Sequence, residues 1–385
     1  MAMTKKLNLD KLDRYLENVP KDRTPGINMA VYKDGEIVFR KCYGTDDKDM
    51  KHKTQPDTAY TLFSMTKLFT TGAAMQLIEK GKLKLNDPVA KYLPAYENMT
   101  VQTRYGVRPA RTVLRVKHLM AMQGGFDYNL GTPEIRKVVE ETNGHATTRQ
   151  VIDALAKKPL CFDPGTHFQY SLCHDVLAAV IEVASGMRFE EYLRKNIWQP
   201  LGIVNASMHK DTYPEKEKLA EIWTNTPSDP TLKASGTHNV FVVSDRYESG
   251  GAGLIATCDE YMKYAATIAN GGVSPFTGAR LFKKETIDLW HKDRQLSKAC
   301  YEDFQRCKPL YGYGLGVRTN ITKGNGSAPI GEFGWDGAAG SYVMLDTDYN
   351  VAAVYMQSVC NSAYDCGNMH HDIRDIIFDA IYAAE

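Results

Sequence analysis

The sequence lacks several features that would identify a class of protein at once. No stretch approaches the about eighteen consecutive apolar residues of a membrane-spanning helix. The Lys and Arg residues are dispersed and the formal net charge is +1, which leaves no electrostatic footprint for nucleic acid or an anionic membrane. No Gly-x-Ser-x-Gly or His-Glu-x-x-His motif occurs, which argues against an α/β-hydrolase and a zinc peptidase.

Paired cysteines and a secretory leader are also missing. The eight cysteines include no Cys-x-x-Cys pair, which favours reduced structural thiols over a disulfide framework, although an isolated bridge stays open. The stretch from Met1 to Leu7 has no apolar core of a signal peptide and runs into a polar amphipathic pattern. We therefore expect a cytoplasmic protein with no nucleic-acid or membrane partner.

What is present is an ordinary globular composition with strand patterns near both ends of the chain. Residues 27–32 and 36–39 flank Asp34-Gly35, and residues 341–345 and 351–356 flank a second turn, so each pair predicts a β-hairpin. Amphipathic patterns at 7–18 and 373–381 predict terminal helices. The expected fold class is α+β, with one antiparallel sheet built from both chain ends and flanked by the terminal helices.

The middle of the chain is dominated by helical patterns and long loops. Residues 174–185 predict an apolar helix that ends at Gly186. At 385 residues, two substructures are expected. The predicted division is a discontinuous sheet domain at 1–80 and 241–385 and a mostly helical domain at 81–240.

Ser64-Met65-Thr66-Lys67 places a hydroxyl and an amine three residues apart, on one face of a helix predicted to end near Gly81. A serine needs a neighbouring base to become a nucleophile, and burial can lower the pKa of a lysine enough to supply one. Apolar residues surround the motif, which predicts a buried helix. The backbone N–H of Ser64 at the helix start is free to hold an oxyanion.

The spacing alone has another explanation. A chain of this length contains about one or two Ser-x-x-Lys matches by chance, and the structural alternative is an N-cap serine with a snorkelling lysine. Ser207-Met208-His209-Lys210 is a second match, but it lies in a polar stretch without a long apolar helix after it. We interpret it as a surface coincidence.

Further motifs in a fixed order give the first one its context. Pro164 to Ser171 precedes the second buried helix, and Gly124-Gly125, the 249–254 glycine stretch, Tyr313 to Gly316 and Gly334 to Tyr342 follow the same order as in a known family. With Ser64-x-x-Lys67, the chain resembles the serine β-lactamase and penicillin-binding-protein superfamily over nearly its whole length. It is most similar to the class C β-lactamase-like branch, which includes family VIII carboxylesterases.

The resemblance implies roles for individual residues in a site between the two predicted domains. Ser64 would be the acylated nucleophile, Lys67 its base, and Tyr170 the phenol or phenolate that shares the proton transfer. The backbone N–H groups of Ser64 and Ala338 would form the oxyanion hole. The remaining implied residues bind substrate: Trp335, Gly337 and Leu172.

Each of these residues also has an ordinary structural interpretation. An isolated Tyr170 would be a core residue with a bonded hydroxyl, and the stretch from Phe333 to Ser341 would be a plain Gly/Ala-rich loop. Leu172 stands where β-lactamases have Asn, and Trp335 where they have Lys or His. We expect a site without that amide and that cation to handle β-lactams poorly and to favour neutral esters or thioesters packed against Trp335. Tyr128 and His238 are further candidates for the pocket.

Two other patterns carry no site. Cys360, Asp365, Cys366, His370 and His371 do not match a zinc spacing, and surface or capping roles are expected for the histidines. Gly312-x-Gly314-x-Gly316 precedes a strand rather than the helix of a phosphate cradle. No cofactor or metal is predicted.

The predicted function is therefore that of a cofactor-free serine hydrolase, a carboxylesterase acting on a small ester or amide substrate through an acyl-enzyme on Ser64. The alternatives are a β-lactamase or D-amino-acid peptidase, an acyltransferase, and a non-catalytic member of the fold that binds peptidoglycan-like ligands. The natural substrate and the oligomeric state are not predicted.

Overall fold

The computed structural model describes residues 7–20, 22–226, 228–291, 297–360 and 368–385. Its α-helices are α1 (Asp10–Glu17), α2 (Thr66–Glu79), α3 (Val116–Met120), α4 (Pro133–Glu141), α5 (Thr148–Leu155), α6 (Cys173–Ser185), α7 (Phe189–Leu193), α8 (Gln199–Leu201), α9 (Cys258–Ala269), α10 (Lys284–His291), α11 (Lys298–Cys307) and α12 (His370–Ala384). Its strands are β1 (Gly26–Lys33), β2 (Glu36–Gly44), β3 (Ala59–Thr61), β4 (Thr100–Thr103), β5 (Gly106–Pro109), β6 (Ala206–Ser207), β7 (Trp223–Thr226), β8 (Asp229–Ala234), β9 (Ile255–Thr257), β10 (Tyr311–Tyr313), β11 (Arg318–Asn320), β12 (Phe333–Asp336), β13 (Tyr342–Asp346), β14 (Val351–Met356) and β15 (Val359–Cys360). Shorter helical turns are Phe63–Met65, Val89–Lys91, Pro94–Tyr96, Arg194–Trp198, Lys210–Thr212 and Lys216–Lys218.

The main sheet joins both ends of the chain, as predicted. Its antiparallel strands lie in the order β10-β11-β12-β13-β14-β1-β2, so β1 from the N-terminal part pairs with β14 from the C-terminal part. The β1–β2 turn places Asp34 and Gly35 at φ of 50° and 100°, the left-handed values that a tight two-residue hairpin requires. The second predicted hairpin is β13–β14. The predicted α+β fold class is confirmed.

Helices cover both faces of this sheet. The terminal helices α1 and α12 pack against each other and share a core with β1, β13 and β14, whose side chains on that face include Met29, Tyr342 and Met344. On the opposite face α9 packs against β1, β13 and β14 and shares the larger core with α2 and α6. The sheet is therefore buried on both faces, which explains why β14 is apolar throughout and why β13 is apolar up to its last residue, Asp346, rather than alternating.

The two predicted buried helices are α2 and α6. Helix α2 ends just before Gly81, and α6 ends at Gly186, which adopts the left-handed conformation at φ 74°. One detail differs from expectation, because Ser64 does not open α2. It lies in the preceding short helix Phe63–Met65, and α2 begins at Thr66.

The segment between α2 and α9 carries helices α3 to α8, as expected, together with two hairpins that the patterns missed. These are β4–β5 and β7–β8, and β7 is tied to the C-terminal part through parallel pairing with β15. Both hairpins are short and largely exposed, so they lack the apolar alternation by which strands are recognised. The division into two domains stays a prediction. Within the described ranges, no helix combines the length and the apolarity needed to cross a membrane.

Candidate functional site

The hydroxyl of Ser64 is held at the junction between a short strand and a helix. After β3 the chain turns through Phe63, whose φ of 46° is a strained value for an aromatic residue and costs on the order of 1–3 kcal/mol. The Phe63 ring is buried and packs edge-to-face on Phe241 with ring centroids 6.2 Å apart. This packing holds the turn in place and leaves Ser64 half-buried and accessible from the pocket described below.

Lys67 lies in the first turn of α2 and has no solvent-exposed surface. Its Nζ is 3.0 Å from Ser64 Oγ, 2.8 Å from the Tyr128 hydroxyl and 2.7 Å from the carbonyl oxygen of Gly251. A neutral amine has two N–H donors and one lone pair. Since the carbonyl of Gly251 can only accept, donation to Gly251 and Tyr128 leaves the lone pair of neutral Lys67 facing the hydroxyl of Ser64.

Burial lowers the pKa of Lys67 to about 7, against 10.5 for a solvated lysine. Loss of water is the dominant cause, and the carboxylates of Asp175 and Asp336 act in the opposite direction by favouring the ammonium. About half of the lysine is therefore neutral at pH 7, compared with roughly one in three thousand for a free side chain. Lys67 can accept a proton at neutral pH.

The carbonyl of Gly251 reaches Lys67 because a glycine-rich segment passes between α2 and α6. A Cβ at Gly250 would overlap the carbonyl oxygen of His174, and a Cβ at Gly251 would overlap the carboxylate of Asp175. The segment is fixed on both sides, because Thr70 Oγ1 donates to the Gly250 carbonyl at 2.6 Å and Ser249 Oγ donates to Asp175 at 2.6 Å. The glycine stretch noted in the sequence therefore positions the proposed base.

Tyr170 closes the other side of the Ser64 hydroxyl. Its own hydroxyl accepts a hydrogen bond from Trp335 Nε1 at 2.9 Å, and the two rings stack with centroids 5.4 Å apart. Desolvation raises the pKa of Tyr170, and hydrogen bonds with Ser64, Trp335 and Tyr128 only partly offset it. This favours the phenol over the phenolate, so Tyr170 carries a proton in the resting site that it can donate.

A second tyrosine lies beside the first. The ring of Tyr128 is 5.5 Å from that of Tyr170, and Lys67 Nζ lies 4.6 Å from the centre of the Tyr170 ring. Burial raises the pKa of Tyr128 well above its usual range, so this hydroxyl is also neutral. Tyr128, a candidate for the pocket from the sequence, joins the site through its hydroxyl, which lies 2.8 Å from Lys67 Nζ.

Two backbone N–H groups are available for an oxyanion. Ser64 is in the first turn of its short helix, where N–H groups have no intrahelical acceptor. The N–H of Ala338, just after β12, has no acceptor among the described residues, and Ala338 is exposed. Gly337 lets this strand end approach the Ser64 turn, because a Cβ there would overlap the carbonyl oxygen of Leu62.

A pocket of about 280 Å³ opens on Ser64. Four of its nine lining residues are aromatic and two are charged; the lining consists of Ser64, Phe168, Tyr170, Phe304, Cys307, Lys308, Trp335, Asp336 and Ala338. The Nζ of Lys308 is 2.7 Å from Asp336 Oδ1 and 5.4 Å from the centre of the Trp335 ring. The expectation that Trp335 leaves the site without a cation is therefore wrong, because Lys308, from the end of α11, brings one, and Asp336 neutralises it.

Other predicted residues lie elsewhere. Leu172 is buried at the start of α6 and does not line this pocket, because the chain there has already entered the helical core. His238 lines a separate cavity. His370 is buried rather than at the surface and bonds the Gly340 carbonyl at 2.8 Å, while Asp365 and Cys366 lie outside the described residues. Among the described residues, no cluster of side chains has the composition of a metal site.

A serine, a buried lysine and a tyrosine meet beside β12, with α2 and α6 behind them, and these groups suit the serine acyl-transfer class of site. The comparison with protein families agrees with this class. The model of the beta-lactamase family matches residues 12–373, so the chain belongs to that family.

The similar proteins carry names for different activities. The chain is 25% identical to esterase EstB of Burkholderia gladioli, with 97% of this chain and 95% of that protein covered. It is also 25% identical to an Escherichia coli O157:H7 protein assigned provisionally as a D-alanyl-D-alanine carboxypeptidase, covering 98% and 90%. A solved structure titled EstCE1, a hydrolase with promiscuous acyltransferase activity, superposes with a TM-score of 0.76 at 22% identity, covering 97% and 98%.

Proposed function

We propose that this chain is a serine hydrolase that acts through an acyl-enzyme on Ser64, and that its substrates are small neutral carboxylic esters. The proposal rests above all on one observation, the position of a fully buried Lys67 with its Nζ 3.0 Å from Ser64 Oγ. The relationship to a named esterase supports the same activity.

In the first half of the reaction Ser64 Oγ attacks the ester carbonyl while neutral Lys67 takes the hydroxyl proton. The carbonyl oxygen becomes an oxyanion that accepts hydrogen bonds from the N–H groups of Ser64 and Ala338. Tyr170 then donates its proton to the departing alkoxide, and its phenolate is held by the Trp335 N–H and recovers a proton from the Lys67 ammonium. The ester C–O bond is broken, and the acyl group is left on Ser64.

In the second half a water molecule takes the place of the alcohol. The proton relay runs in reverse: a proton of the water passes to Tyr170, and Tyr170 passes its own proton to neutral Lys67. The hydroxide that remains adds to the acyl carbonyl. Ser64 then leaves with the proton that Lys67 held. The same groups thus serve both halves, and both begin with a neutral Lys67. No group outside the described site is required.

The lining of the pocket favours esters over β-lactams. A β-lactam carries a carboxylate beside the ring that opens, and the cation that would bind it here is already paired with Asp336. The aromatic walls at Phe168, Phe304 and Trp335 suit an apolar or uncharged group. We therefore expect weak or no β-lactamase activity.

Turnover of a substrate panel tests this proposal. Short p-nitrophenyl esters, thioesters, a chromogenic β-lactam and a D-alanyl-D-alanine peptide are compared by kcat/KM, with Ser64→Ala as the matched control. We expect the esters to exceed the β-lactam and the peptide by at least roughly 100-fold, as for substrates whose charges find no partner in the site. Equal or faster β-lactam or peptide cleavage would replace the esterase by one of these activities.

Acyl transfer to an alcohol is the second candidate, and the similarity to EstCE1 favours it, since EstCE1 is described as a hydrolase with promiscuous acyltransferase activity. An acyl-enzyme cannot by itself discriminate between water and an alcohol. Adding increasing concentrations of a primary alcohol to a vinyl ester assay and measuring the ratio of new ester to free acid separates the two. A product mixture that is mostly new ester in dilute alcohol would identify a transferase.

A non-catalytic ligand binder is distinguished by covalent labelling. A fluorophosphonate reacts with activated serines, and mass mapping identifies the modified residue. We expect modification of Ser64 and protection by substrate. An unlabelled Ser64 would favour the binder.

A further inference from the structure

The ion pair in the pocket is the one charged feature of its lining. Lys308 and Asp336 have side chains that are 25% and 16% exposed, so both atoms of the pair remain within reach of a ligand. Both are held in place. Asp336 is the last residue of β12, Lys308 follows the last residue of α11, and the ammonium also lies over the Trp335 ring.

The pair is not saturated. Among the described residues the ammonium of Lys308 donates only to Asp336 Oδ1, so two of its three N–H groups have no protein acceptor, and Oδ2 of Asp336 has no protein donor. Water satisfies these groups in an open pocket. A ligand that displaces this water must replace its hydrogen bonds or leave charged groups unsatisfied, which disfavours a purely apolar group at this wall.

If the proposed function holds, the pocket binds the alcohol side of the ester substrate. It is lined by Tyr170 and Trp335, while Lys67 and Tyr128 are not part of its lining. In the proposed reaction Tyr170 gives its proton to the departing alcohol, so the alcohol side of the ester points along the Tyr170 wall. The groups beyond the ester oxygen therefore meet Lys308 and Asp336.

We propose that the Lys308–Asp336 pair selects esters whose alcohol carries an uncharged group that both donates and accepts hydrogen bonds, such as a carboxamide or a second hydroxyl. Such a group can accept from Lys308 and donate to Asp336 at the same time. A carboxylate is attracted by Lys308 but repelled by Asp336, and an ammonium meets the reverse, so both charged classes are rejected.

Butyrate esters of three alcohols of equal length test this selection. The alcohols are pentanol, γ-hydroxybutanamide and γ-hydroxybutanoate, which end in a methyl group, a carboxamide and a carboxylate. Ester cleavage is followed by titration of the released acid. For the unaltered protein we expect the carboxamide to have the highest kcat/KM and the carboxylate the lowest.

Two substitutions that keep the size of the side chain should then change the carboxylate-to-carboxamide ratio of kcat/KM in opposite directions. Asp336→Asn leaves Lys308 unpaired and should raise the carboxylate-to-carboxamide ratio of kcat/KM by roughly tenfold or more, which corresponds to about 1.4 kcal/mol. Lys308→Met should lower that ratio further and reduce the advantage of the carboxamide over pentanol. The double variant, which keeps only a neutral amide at this wall, should show a smaller advantage of the carboxamide over the pentyl ester than the unaltered protein. Lys284→Met, which removes a lysine of an exposed pair on α10, is the matched control and should leave all ratios unchanged.

The outcomes separate this inference from the proposed function. Cleavage of all three esters with ratios that do not respond to Asp336→Asn and to the double variant would overturn the selection by the ion pair and leave the hydrolase intact. If one single variant fails to fold, the double variant, which buries no unpaired charge, still decides the question. No cleavage of any ester by the unaltered protein would overturn the hydrolase and this inference with it.

Discussion

Two Ser-x-x-Lys sequences in this chain have the same spacing and opposite surroundings. At Ser64 and Lys67 the serine is half-buried beside a pocket and the lysine is fully buried, with its Nζ 3.0 Å from the serine oxygen. At Ser207 and Lys210 the serine is fully buried and bonded to Thr212 at 2.7 Å and to the His209 carbonyl, whereas the lysine is exposed.

The difference shows that the Ser-x-x-Lys spacing alone does not make a serine and a lysine an activated pair. Activation requires a lysine without water and a serine with access, and the second sequence inverts both conditions. Lys67 loses its water because a helix start is buried under the glycine segment and two tyrosines. Lys210 lies in an exposed helical turn, where its side chain is open to water.

The largest expected effect comes from replacing the two serines. Ser64→Ala should lower kcat/KM for a p-nitrophenyl ester by roughly 10⁴-fold or more, because the nucleophile is lost. Ser207→Ala should keep the ester kinetics and lose on the order of 1–3 kcal/mol of stability, because it leaves buried polar partners unsatisfied. Steady-state kinetics and thermal unfolding of both variants measure this contrast, and a Ser64→Ala variant with near-normal turnover would contradict it.

Replacing the two lysines comes next. Lys67→Met keeps the length of the side chain but removes the base, and we expect a loss of roughly 10²–10⁴-fold in kcat, the usual range for general-base catalysis. Lys210→Met should change neither kcat nor KM. If Lys67→Met left kcat as unchanged as Lys210→Met does, Lys67 would not be the base and would have only a structural role.

Tyr170→Phe tests the proton donor, with a smaller expected loss because the pair of Ser64 and Lys67 remains. For esters of alkyl alcohols, which are poor leaving groups, we expect kcat/KM to fall roughly 10²-fold. The loss should be much smaller for p-nitrophenyl esters, whose leaving group departs without a proton. A loss of the same size for both substrate types would exclude Tyr170 as the acid.

The smallest effect is expected from Trp335→Phe. This substitution keeps an aromatic wall but removes the N–H that Tyr170 accepts at 2.9 Å. We expect kcat/KM for alkyl esters to fall roughly tenfold, within the range for the loss of one hydrogen bond to a group that develops charge. The loss should again be concentrated in alkyl esters, and an unchanged ratio of alkyl to p-nitrophenyl rates would show that this hydrogen bond does not act through Tyr170.

Local patterns predicted the parts of this molecule that local chemistry determines. The Asp34-Gly35 hairpin, the glycine stop at Gly186 and the terminal helices follow from turn and helix preferences of neighbouring residues. Ser64, Lys67, Tyr170 and Ala338 were assigned to the site because their motifs occur in a familiar order, and their roles stay predictions.

Residues that join the site only through tertiary contacts could not be predicted in this way. Lys308 approaches Asp336 from a different element 28 positions earlier in the chain. Tyr128 was named only as a candidate for the pocket, and its contact with Lys67, 61 positions away, follows from no local pattern. Leu172 was assigned to the pocket from its place in a motif, but burial of the α6 start removes its side chain from it. Motif position does not determine which way a side chain faces.

The pH dependence of Ser64 modification tests the central claim most directly. The rate at which a fluorophosphonate labels Ser64 is measured from about pH 5 to about pH 9, with mass mapping at each pH. Because only the neutral lysine accepts the proton, the rate should rise with a midpoint near pH 7, the value to which burial lowers the pKa of Lys67. The rise should disappear in Lys67→Met. A rate that is independent of pH across this range, or a label on a residue other than Ser64, would contradict the account.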